Sequence, residues 1–196
     1  MYPIRLEGDR VVLREFRQDD VDDVLAVIGD DAVTASLSFD SRTRTQAAAM
    51  IEGTITRAQG VPRSEYYLAI TPRGTDDTVV GFVRIAFAGV QAAKLGYAVA
   101  ARWWGRGYAT DAARVLTSYA FNSLGLHRVS AAIGPDNNAS MAVAARLGMQ
   151  REGVLRDHVH TGGVWRDSVL YSVLAHEWAG TPDGPASDET IATAAQ

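Results

Sequence analysis

The chain has 196 residues, of which 47% are hydrophobic, a length and composition that fit one domain with a sizeable buried core. Its formal net charge of −4 gives no support for binding to nucleic acid or to an anionic membrane surface, whereas a substrate with a positive amine is compatible with it. The chain has no cysteine, which excludes disulfides, thiolate catalysis and an acyl-cysteine intermediate.

No secretory leader precedes Arg10 and no apolar run approaches the ~18 residues of a membrane span, so we expect a cytoplasmic protein.

The N-terminal part predicts a strand followed by a short helix. Residues 10–16 are rich in β-branched and apolar side chains and predict the first strand. Asp19 and Asp20 fit the capped start of a helix, whose apolar face is formed by Val21, Val24, Leu25 and Ile28.

A loop over residues 30–42 is expected before the next helix. Thr43 and Gln46 have the spacing of a capping box, and the helix that they open fades near Gly60. An antiparallel meander is then expected from three β-rich runs, at residues 65–71, 78–88 and 92–100.

A glycine turn that opens a helix lies at the centre of the chain. Gly105 and Gly107 follow the third run, and helical spacing then begins at Ala109, Ala112, Ala113, Leu116, Tyr119 and Ala120. Glycine lets a ligand approach the backbone, and the first amides of a helix lack intrahelical partners and lie in positive potential. The turn therefore fits a phosphate group. A returning strand at residues 127–133 predicts a central parallel pair.

Two common phosphate loops are excluded. A P-loop ends in Gly-Lys-Ser/Thr, and the only lysine of the chain is Lys94. A dinucleotide fingerprint needs a third glycine three residues after Gly107, where Thr110 stands. Another kind of phosphate site and an ordinary strand-to-helix turn both stay open on the glycines alone.

A second informative segment begins at Asn137. This residue fits an N-cap, and Ser140 falls in the first turn of a helix that ends before Gly148. Helix capping alone would explain both side chains. A hydroxyl at a helix N-terminus also lies in positive potential, which favours a nearby developing anion.

The last two strands, at residues 149–155 and 164–174, would be joined by a loop that holds His158 and His160. No His-Glu-x-x-His or paired-cysteine spacing occurs, so we expect no metal. From residue 179 the chain is rich in Gly, Pro, Ala, Ser, Thr and acids without periodicity. We therefore expect an ordered domain over residues 1–178 and a disordered tail over residues 179–196.

Together, these motifs resemble the GNAT acyltransferases, in particular the RimJ/RimL-type N-terminal acetyltransferases. The glycine turn is similar to the Gln/Arg-x-x-Gly-x-Gly/Ala motif in two registers. Residues 102–107 match literally, whereas residues 104–109 place Trp104 where Gln or Arg is usual. We prefer the second register, because a run such as Trp-Gly-Arg-Gly-Tyr-Ala-Thr at residues 104–110 is typical of the RimJ/RimL type. The Asn-x-x-Ser element and Arg-Leu-Gly-Met at residues 146–149 also match, and the likeness covers residues 10–178.

The resemblance implies a GNAT fold of the α/β (α+β) class. Its mixed, mostly antiparallel sheet would have about seven strands, a splayed central parallel pair and about four flanking helices. The co-substrate would be acetyl-CoA (CoA), with Asn137 on the pantetheine arm, Ser140 as the proton donor to the departing thiolate, and one of the amides near Ala98 and Val99 as an oxyanion donor. The other residues expected at CoA are Arg102, Trp104, Gly105, Arg106, Gly107, Tyr108, Ala109, Thr110 and Arg146.

The resemblance leaves the general base open. Relatives often carry an acid near the strand end where this chain has Lys94, and a further glutamate at a position that falls near Val159. His158 or His160 could accept the proton of the amine, or both could be plain loop residues. The acceptor would lie against aromatic walls formed by Phe39, Tyr66 and Trp103.

A protein or peptide N-terminus is the acceptor that the RimJ/RimL likeness favours. A small amine such as an amino acid or antibiotic, a succinyl-CoA donor, and a CoA-binding module without catalysis remain alternatives. We expect a monomer or homodimer with no nucleic-acid or membrane partner.

Overall fold

Eight strands of the protein form one sheet. The structure is a computed structural model that describes residues 2–75 and 78–179. Within them the strands are β1 (Arg5–Glu7), β2 (Val11–Arg14), β3 (Glu65–Pro72), β4 (Gly81–Phe87), β5 (Ala92–Val99), β6 (Arg128–Ile133), β7 (Gln150–Thr161) and β8 (Val164–Leu174). Their order across the sheet is β1-β2-β3-β4-β5-β6-β8-β7.

The sheet is antiparallel except at its centre, where β5 and β6 run parallel. The predicted mixed sheet with one central parallel pair is therefore confirmed. Only three residues of each strand pair in this way, from Ala92 with Arg128 to the last rung, which joins Lys94 to Ser130. Beyond that rung β5 continues to Val99 and β6 to Ile133 without pairing to each other, so the two strands splay apart.

Helices cover both faces of the sheet. They are α1 (Val21–Ile28), α2 (Asp31–Thr34), α3 (Arg44–Ala58), α4 (Tyr108–Asn122) and α5 (Asn138–Arg146). Alternate residues of β3 divide the core: Leu68 packs in the cluster with α4 and α5, and Tyr67 packs in the cluster with α1 and α3. The capping box predicted at Thr43 is confirmed, since the Thr43 amide donates to Gln46 Oε1 at 2.9 Å and the Gln46 amide donates to Thr43 Oγ1 at 3.3 Å.

Among the described residues there are eight strands in the sheet, where about seven were expected, and five helices, where about four were expected. Strand β1 is only three residues long and is ordered by pairing with β2, so it carries no periodicity of its own. Helix α2 falls in the predicted loop over residues 30–42 and is a single turn, capped by Asp30 Oδ1, which accepts from the Ala32 amide at 2.9 Å.

Strand β7 extends well past its predicted end at residue 155. It reaches Thr161, so His158 and His160 lie in a strand rather than in a loop. This length comes from pairing with β8, a long-range contact that the polar sequence of the segment does not reveal.

The predicted capping role of Asp20 applies to the 3₁₀ turn Gln18–Asp20, where it forms a capping box with Arg17, and not to α1 itself. Asp20 is 4% exposed and makes no side-chain cap bond to α1. Its carboxylate instead accepts two bonds from the Arg14 guanidinium, each 2.8 Å long, and a third from the Arg17 amide at 2.7 Å. A buried carboxylate needs such partners to offset its lost hydration.

Two further expectations concern the ends of the domain and the membrane. The tail expected from residue 179 lies outside the described residues from residue 180 onward. Across the part of the chain that the structure describes, every helix is too short or too polar to span a bilayer.

Candidate active site

The gap between β5 and β6 is lined by backbone groups of β5. The Ala100 amide donates to Val80 O at 2.9 Å, so even-numbered residues of β5 direct their amides to β4. The Tyr97 and Val99 amides therefore face the gap, beyond the last rung with β6. The expected role of the Ala98 amide does not fit, because that amide faces β4 in the paired register Ala98↔Phe82.

A tight turn connects β5 to α4. The Trp104 indole nitrogen donates to Val99 O at 2.7 Å, which folds the turn back over the strand end. Gly105 and Gly107 have φ values of 75° and 79°, a left-handed conformation that glycine adopts at little cost. Trp104 therefore holds the turn through its indole, although Gln or Arg is usual there.

Helix α4 starts without a side-chain cap. Its N-cap is Gly107, and its first intrahelical bond runs from the Asp111 amide to Gly107 O at 3.0 Å. In contrast, Asn137 caps α5 and Thr43 caps α3. The first backbone amides of α4 therefore lack the side-chain oxygen that Thr43 supplies to α3 and Asn137 supplies to α5. A phosphate group fits there, because its oxygens can accept from these amides. These amides belong to Tyr108, Ala109 and Thr110.

Two of the arginines predicted at this turn lie near it with other partners. The Arg106 guanidinium stacks on the Trp103 ring at 4.6 Å from the ring centroid. Arg102 forms a loose ion pair with Asp23, with a nitrogen–oxygen distance of 3.8 Å. Arg146 lies at the other end of α5 from Ser140, about 9 Å along the helix at 1.5 Å per residue, so it is not brought to the glycine turn by its own helix.

The start of α5 faces the same gap. The Ser140 amide donates to Asn137 Oδ1 at 3.0 Å, so the capping interpretation of Asn137 holds. The Tyr97 hydroxyl donates to Ser140 O at 3.3 Å and thereby links β5 to α5. Among the described residues, the Ser140 hydroxyl itself has no hydrogen-bond partner.

Sequence reasoning missed Tyr97. Burial raises the pKa of its phenol above the usual value, and the contact with Ser140 only partly offsets that effect. The phenol is therefore protonated at neutral pH. Strand alternation places its side chain on the same face of the sheet as that of Val99, the face that α4 and α5 cover.

Strand β7 is irregular at His158. Between Leu155 and Val159 its register against β8 shifts, and Asp157 has a φ of 47°. The bulge places His158 Nδ1 at 3.0 Å from Ser168 Oγ, a hydroxyl on a side chain that is 3% exposed. His160 instead packs against the Trp165 ring in a tilted arrangement, with centroids 4.9 Å apart.

The three residues expected in the acceptor wall do not come together. Tyr66 is buried on the α4 face, where its ring meets the Tyr119 ring at 5.3 Å. Phe39 packs in the other cluster, with the Arg42 guanidinium 5.3 Å from its ring. Trp103 packs against both clusters, and its buried indole nitrogen has no partner among the described residues.

A cavity of about 350 Å³ lies between the segment after α2 and the β7–β8 hairpin. Arg166 spans it: its guanidinium donates to Ala35 O and Leu37 O, each at 2.6 Å. The Gly162 amide donates to Asp40 Oδ1 at 3.0 Å. The lining includes the polar side chains of Asp31, Thr34, Asp40, Ser41, Thr161 and Arg166.

Among the histidine and acidic side chains of the described ranges, no group of three or more is arranged to hold a metal ion.

Comparison with known proteins gives consistent matches. Residues 10–150 match the model of the acetyltransferase (GNAT) domain family. The uncharacterized N-acetyltransferase YoaA of Bacillus subtilis is 30% identical over 176 residues, which cover 89% of this chain and 98% of YoaA. The [ribosomal protein uS5]-alanine N-acetyltransferase of Escherichia coli is 31% identical over 100 residues, 51% of this chain and 52% of that protein.

Solved structures share the fold. A GNAT-family acetyltransferase from Bacillus anthracis superposes with a TM-score of 0.78 at 22% identity, covering 89% of this chain and all of that one. Mycobacterium smegmatis RimJ, solved in complex with CoA-disulfide, also gives 0.78, at 24% identity over 90% of this chain and 91% of its own.

Proposed function

Since the chain belongs to the GNAT acetyltransferase family and is an N-acetyltransferase, we propose that its donor is acetyl-CoA and its acceptor the terminal amine of a protein or peptide. The resemblance found in the sequence is thereby confirmed at the level of the family. The observation that carries the donor is the uncapped start of α4 beside the β5–β6 gap. A relative named for the alanine of a ribosomal protein supports a protein acceptor.

The proposed CoA site runs along the splayed strands. Backbone amides of the turn and of the first residues of α4 bind the pyrophosphate, because glycines leave the backbone accessible and the helix dipole favours the negative charge. Asn137 contacts the pantetheine arm through its side-chain amide nitrogen, since its Oδ1 is used by the helix cap. The residues proposed for the pyrophosphate are Gly105, Arg106, Gly107, Tyr108, Ala109 and Thr110.

The reacting thioester lies at the gap. The Val99 amide, with the Tyr97 amide one pleat away on the same side, donates to the oxygen that becomes negative when the amine attacks the carbonyl carbon. The carbon–sulfur bond then breaks, and the departing thiolate takes a proton from the Ser140 hydroxyl, which solvent reprotonates. That hydroxyl is available, because only the backbone groups of Ser140 are hydrogen-bonded within the described chain.

His158 is the proposed base. When its Nδ1–H donates to Ser168 Oγ, Nε2 carries the lone pair that accepts the amine proton. The buried hydroxyl of Ser168 fixes the ring, whereas His160 is engaged with Trp165. Of the two histidines suggested by the sequence, His158 is therefore the one that we assign to proton transfer.

The acceptor enters on the side of the cavity spanned by Arg166. The lining carboxylates of Asp31 and Asp40 attract one ammonium group, and the adjacent arginine disfavours a chain of several positive charges. An amine at the end of a neutral chain satisfies both conditions, which suits a peptide N-terminus better than a polyamine.

The test is a thiol-release assay with acetyl-CoA and matched acceptors. The panel holds short peptides with free N-termini, the same peptides with blocked N-termini, an amino acid, an aminoglycoside and spermidine. We expect turnover with free peptides and none with blocked ones, and a second series with succinyl-CoA should be slower. Rapid transfer to spermidine or to the aminoglycoside, with none to free peptides, would overturn the proposed acceptor. Tight acetyl-CoA binding with no turnover on the panel would instead indicate a silent CoA-binding module.

A further inference from the structure

The turn between β1 and β2 is fixed against the start of α4. Asp111, in the first turn of α4, is 5% exposed. Its Oδ2 accepts from the Arg10 amide at 2.7 Å and from the Val11 amide at 3.1 Å. A Cβ atom added at Gly8 would come within 2.5 Å of the same oxygen, so glycine is needed for this close approach. The backbone of Arg10 thus has a defined position beside the proposed phosphate site.

The side chain of Arg10 crosses the N-cap of α4. A Cβ atom built at Gly107 would lie 3.3 Å from Arg10 Cδ, 3.4 Å from Nε and 3.9 Å from Cζ. The guanidinium therefore lies beside the positive end of a 15-residue helix that has no side-chain cap. Within residues 2–75 and 78–179, no carboxylate forms an ion pair with this guanidinium.

The other arginines nearby are engaged. Arg106 stacks on Trp103, Arg102 pairs with Asp23, and Arg73 donates to Gly8 O at 2.8 Å. The one carboxylate in the first turn of α4, that of Asp111, would disfavour an anion, but it is directed to the amides of the β1–β2 turn. Asp111 thus brings Arg10 to the helix start while its own charge is held by backbone donors.

We propose that Arg10 binds a phosphate group of CoA, as a contact supplied by the β1–β2 turn rather than by the glycine turn. The inference rests on the proposed use of acetyl-CoA. A guanidinium suits this role, because its planar donors match two phosphate oxygens at once. CoA offers such oxygens on its pyrophosphate and on its 3′-phosphate, and the chemistry of recognition is the same for both.

Calorimetry with CoA tests the proposal on the Arg10→Gln variant. Loss of a charge-assisted contact predicts a dissociation constant roughly 10- to 100-fold higher. Arg10→Lys should recover part of the affinity, because it restores the charge without the planar fork. Arg5→Gln is the matched control, since it removes one exposed arginine from β1, next to the turn, and should bind CoA as the parent does.

A second ligand identifies the phosphate. If Arg10→Gln weakens CoA and dephospho-CoA equally, Arg10 contacts the pyrophosphate; if only CoA is weakened, it contacts the 3′-phosphate, and either result supports the proposal. An Arg10→Gln protein that binds CoA within twofold of the parent would overturn the inference and leave the proposed function standing. A parent protein that does not bind CoA would overturn both. Thermal unfolding of the variant checks its fold, which the backbone bonds to Asp111 should preserve.

Discussion

Substitutions at Gly105 can separate the effect of an added negative charge from the effect of an added side chain at the proposed phosphate turn. Its φ is 75°, and a Cβ atom added there would meet no other atom within 4 Å. Gly107 is less suitable, because the same change would press on Arg10. Asn and Asp tolerate the left-handed conformation better than other side chains and differ from each other mainly in charge.

Gly105→Asp should therefore raise the dissociation constant of acetyl-CoA by about tenfold or more over Gly105→Asn, because only the aspartate repels the pyrophosphate. The measurement is calorimetric titration of both variants, with thermal unfolding as the control for their equal strain. Equal affinities would place the phosphates away from this turn.

The hydroxyl of Ser140 is not needed for the cap of α5. The cap of α5 uses the Asn137 side chain and the Ser140 amide, so removal of the hydroxyl leaves that bond in place. Ser140→Ala should lower kcat by about 10²–10⁴-fold, the range of a positioned proton donor, while acetyl-CoA binding stays near that of the parent.

Tyr97→Phe is the comparison for Ser140, because its phenol is the nearest alternative proton donor and contacts Ser140 O at 3.3 Å. Single-turnover rates with a reactive peptide separate the two residues. A large loss in Tyr97→Phe with little loss in Ser140→Ala would transfer the role to the phenol.

At the scale of elements, Glu152 joins three strands. Its carboxylate accepts from Arg128 of β6, with one bond of 2.7 Å, and from Ser172 of β8 at 2.5 Å, while Glu152 itself belongs to β7. These donors hold the pKa of Glu152 at about 2, below its usual value, with Arg128 as the largest cause. A lowered pKa in the folded state stabilises the protein above the unfolded-state pKa, and this contribution disappears as the pH falls toward 2.

Glu152→Gln should therefore lower the urea midpoint of unfolding at pH 7, and the difference from the parent should shrink steadily between pH 5 and pH 2.5. Glu7→Gln serves as the control, because Glu7 is exposed and its ion pairs are longer, at 3.4 and 3.6 Å. A midpoint difference that does not change with pH would mean that Glu152 acts through packing rather than through its charge.

Across the whole molecule, features set by residues close in the sequence could be predicted, whereas pairing between distant strands could not. The starts of α3 and α5 follow from Thr43 with Gln46 and from Asn137, because a cap lies within three residues of the amide that it binds. The glycine turn is equally local. Strand β1 and the extension of β7 depend on partners elsewhere in the sheet, so the sequence around them carries no comparable signal.

The same distinction holds at the candidate site. Arg10 reaches α4 through Asp111, a contact across 101 residues that no spacing rule indicates. Tyr66 was expected in the acceptor wall because it is aromatic, but strand alternation turns it to the α4 face and its neighbour Tyr67 to the other. Aromatic character was visible in the sequence, whereas the face of the sheet required the register of β3.

The two proposed ligand sites use separate parts of the molecule, and this predicts independent effects. The proposed acetyl-CoA site is built from the glycine turn and α4, while the proposed acceptor wall is held by Arg166, which bonds the segment after α2 to the β7–β8 hairpin. Arg166→Gln loses one of the two carbonyl contacts or both, because its shorter amide does not reproduce the fork of a guanidinium. The acceptor wall then loosens while the glycine turn is unchanged.

Arg166→Gln should raise KM for a peptide acceptor by about 5- to 30-fold, as expected for loss of 1–2 kcal/mol of positioning, with KM for acetyl-CoA within twofold of the parent. Arg151→Gln, an exposed arginine earlier in β7, is the matched control. In the double variant with Gly105→Asp, the two losses in kcat/KM should multiply, because sites without shared partners contribute additively in free energy. Steady-state kinetics over both substrates measures this. A double variant no worse than the poorer single one would show that donor and acceptor sites are coupled, most directly through the β5–β6 gap.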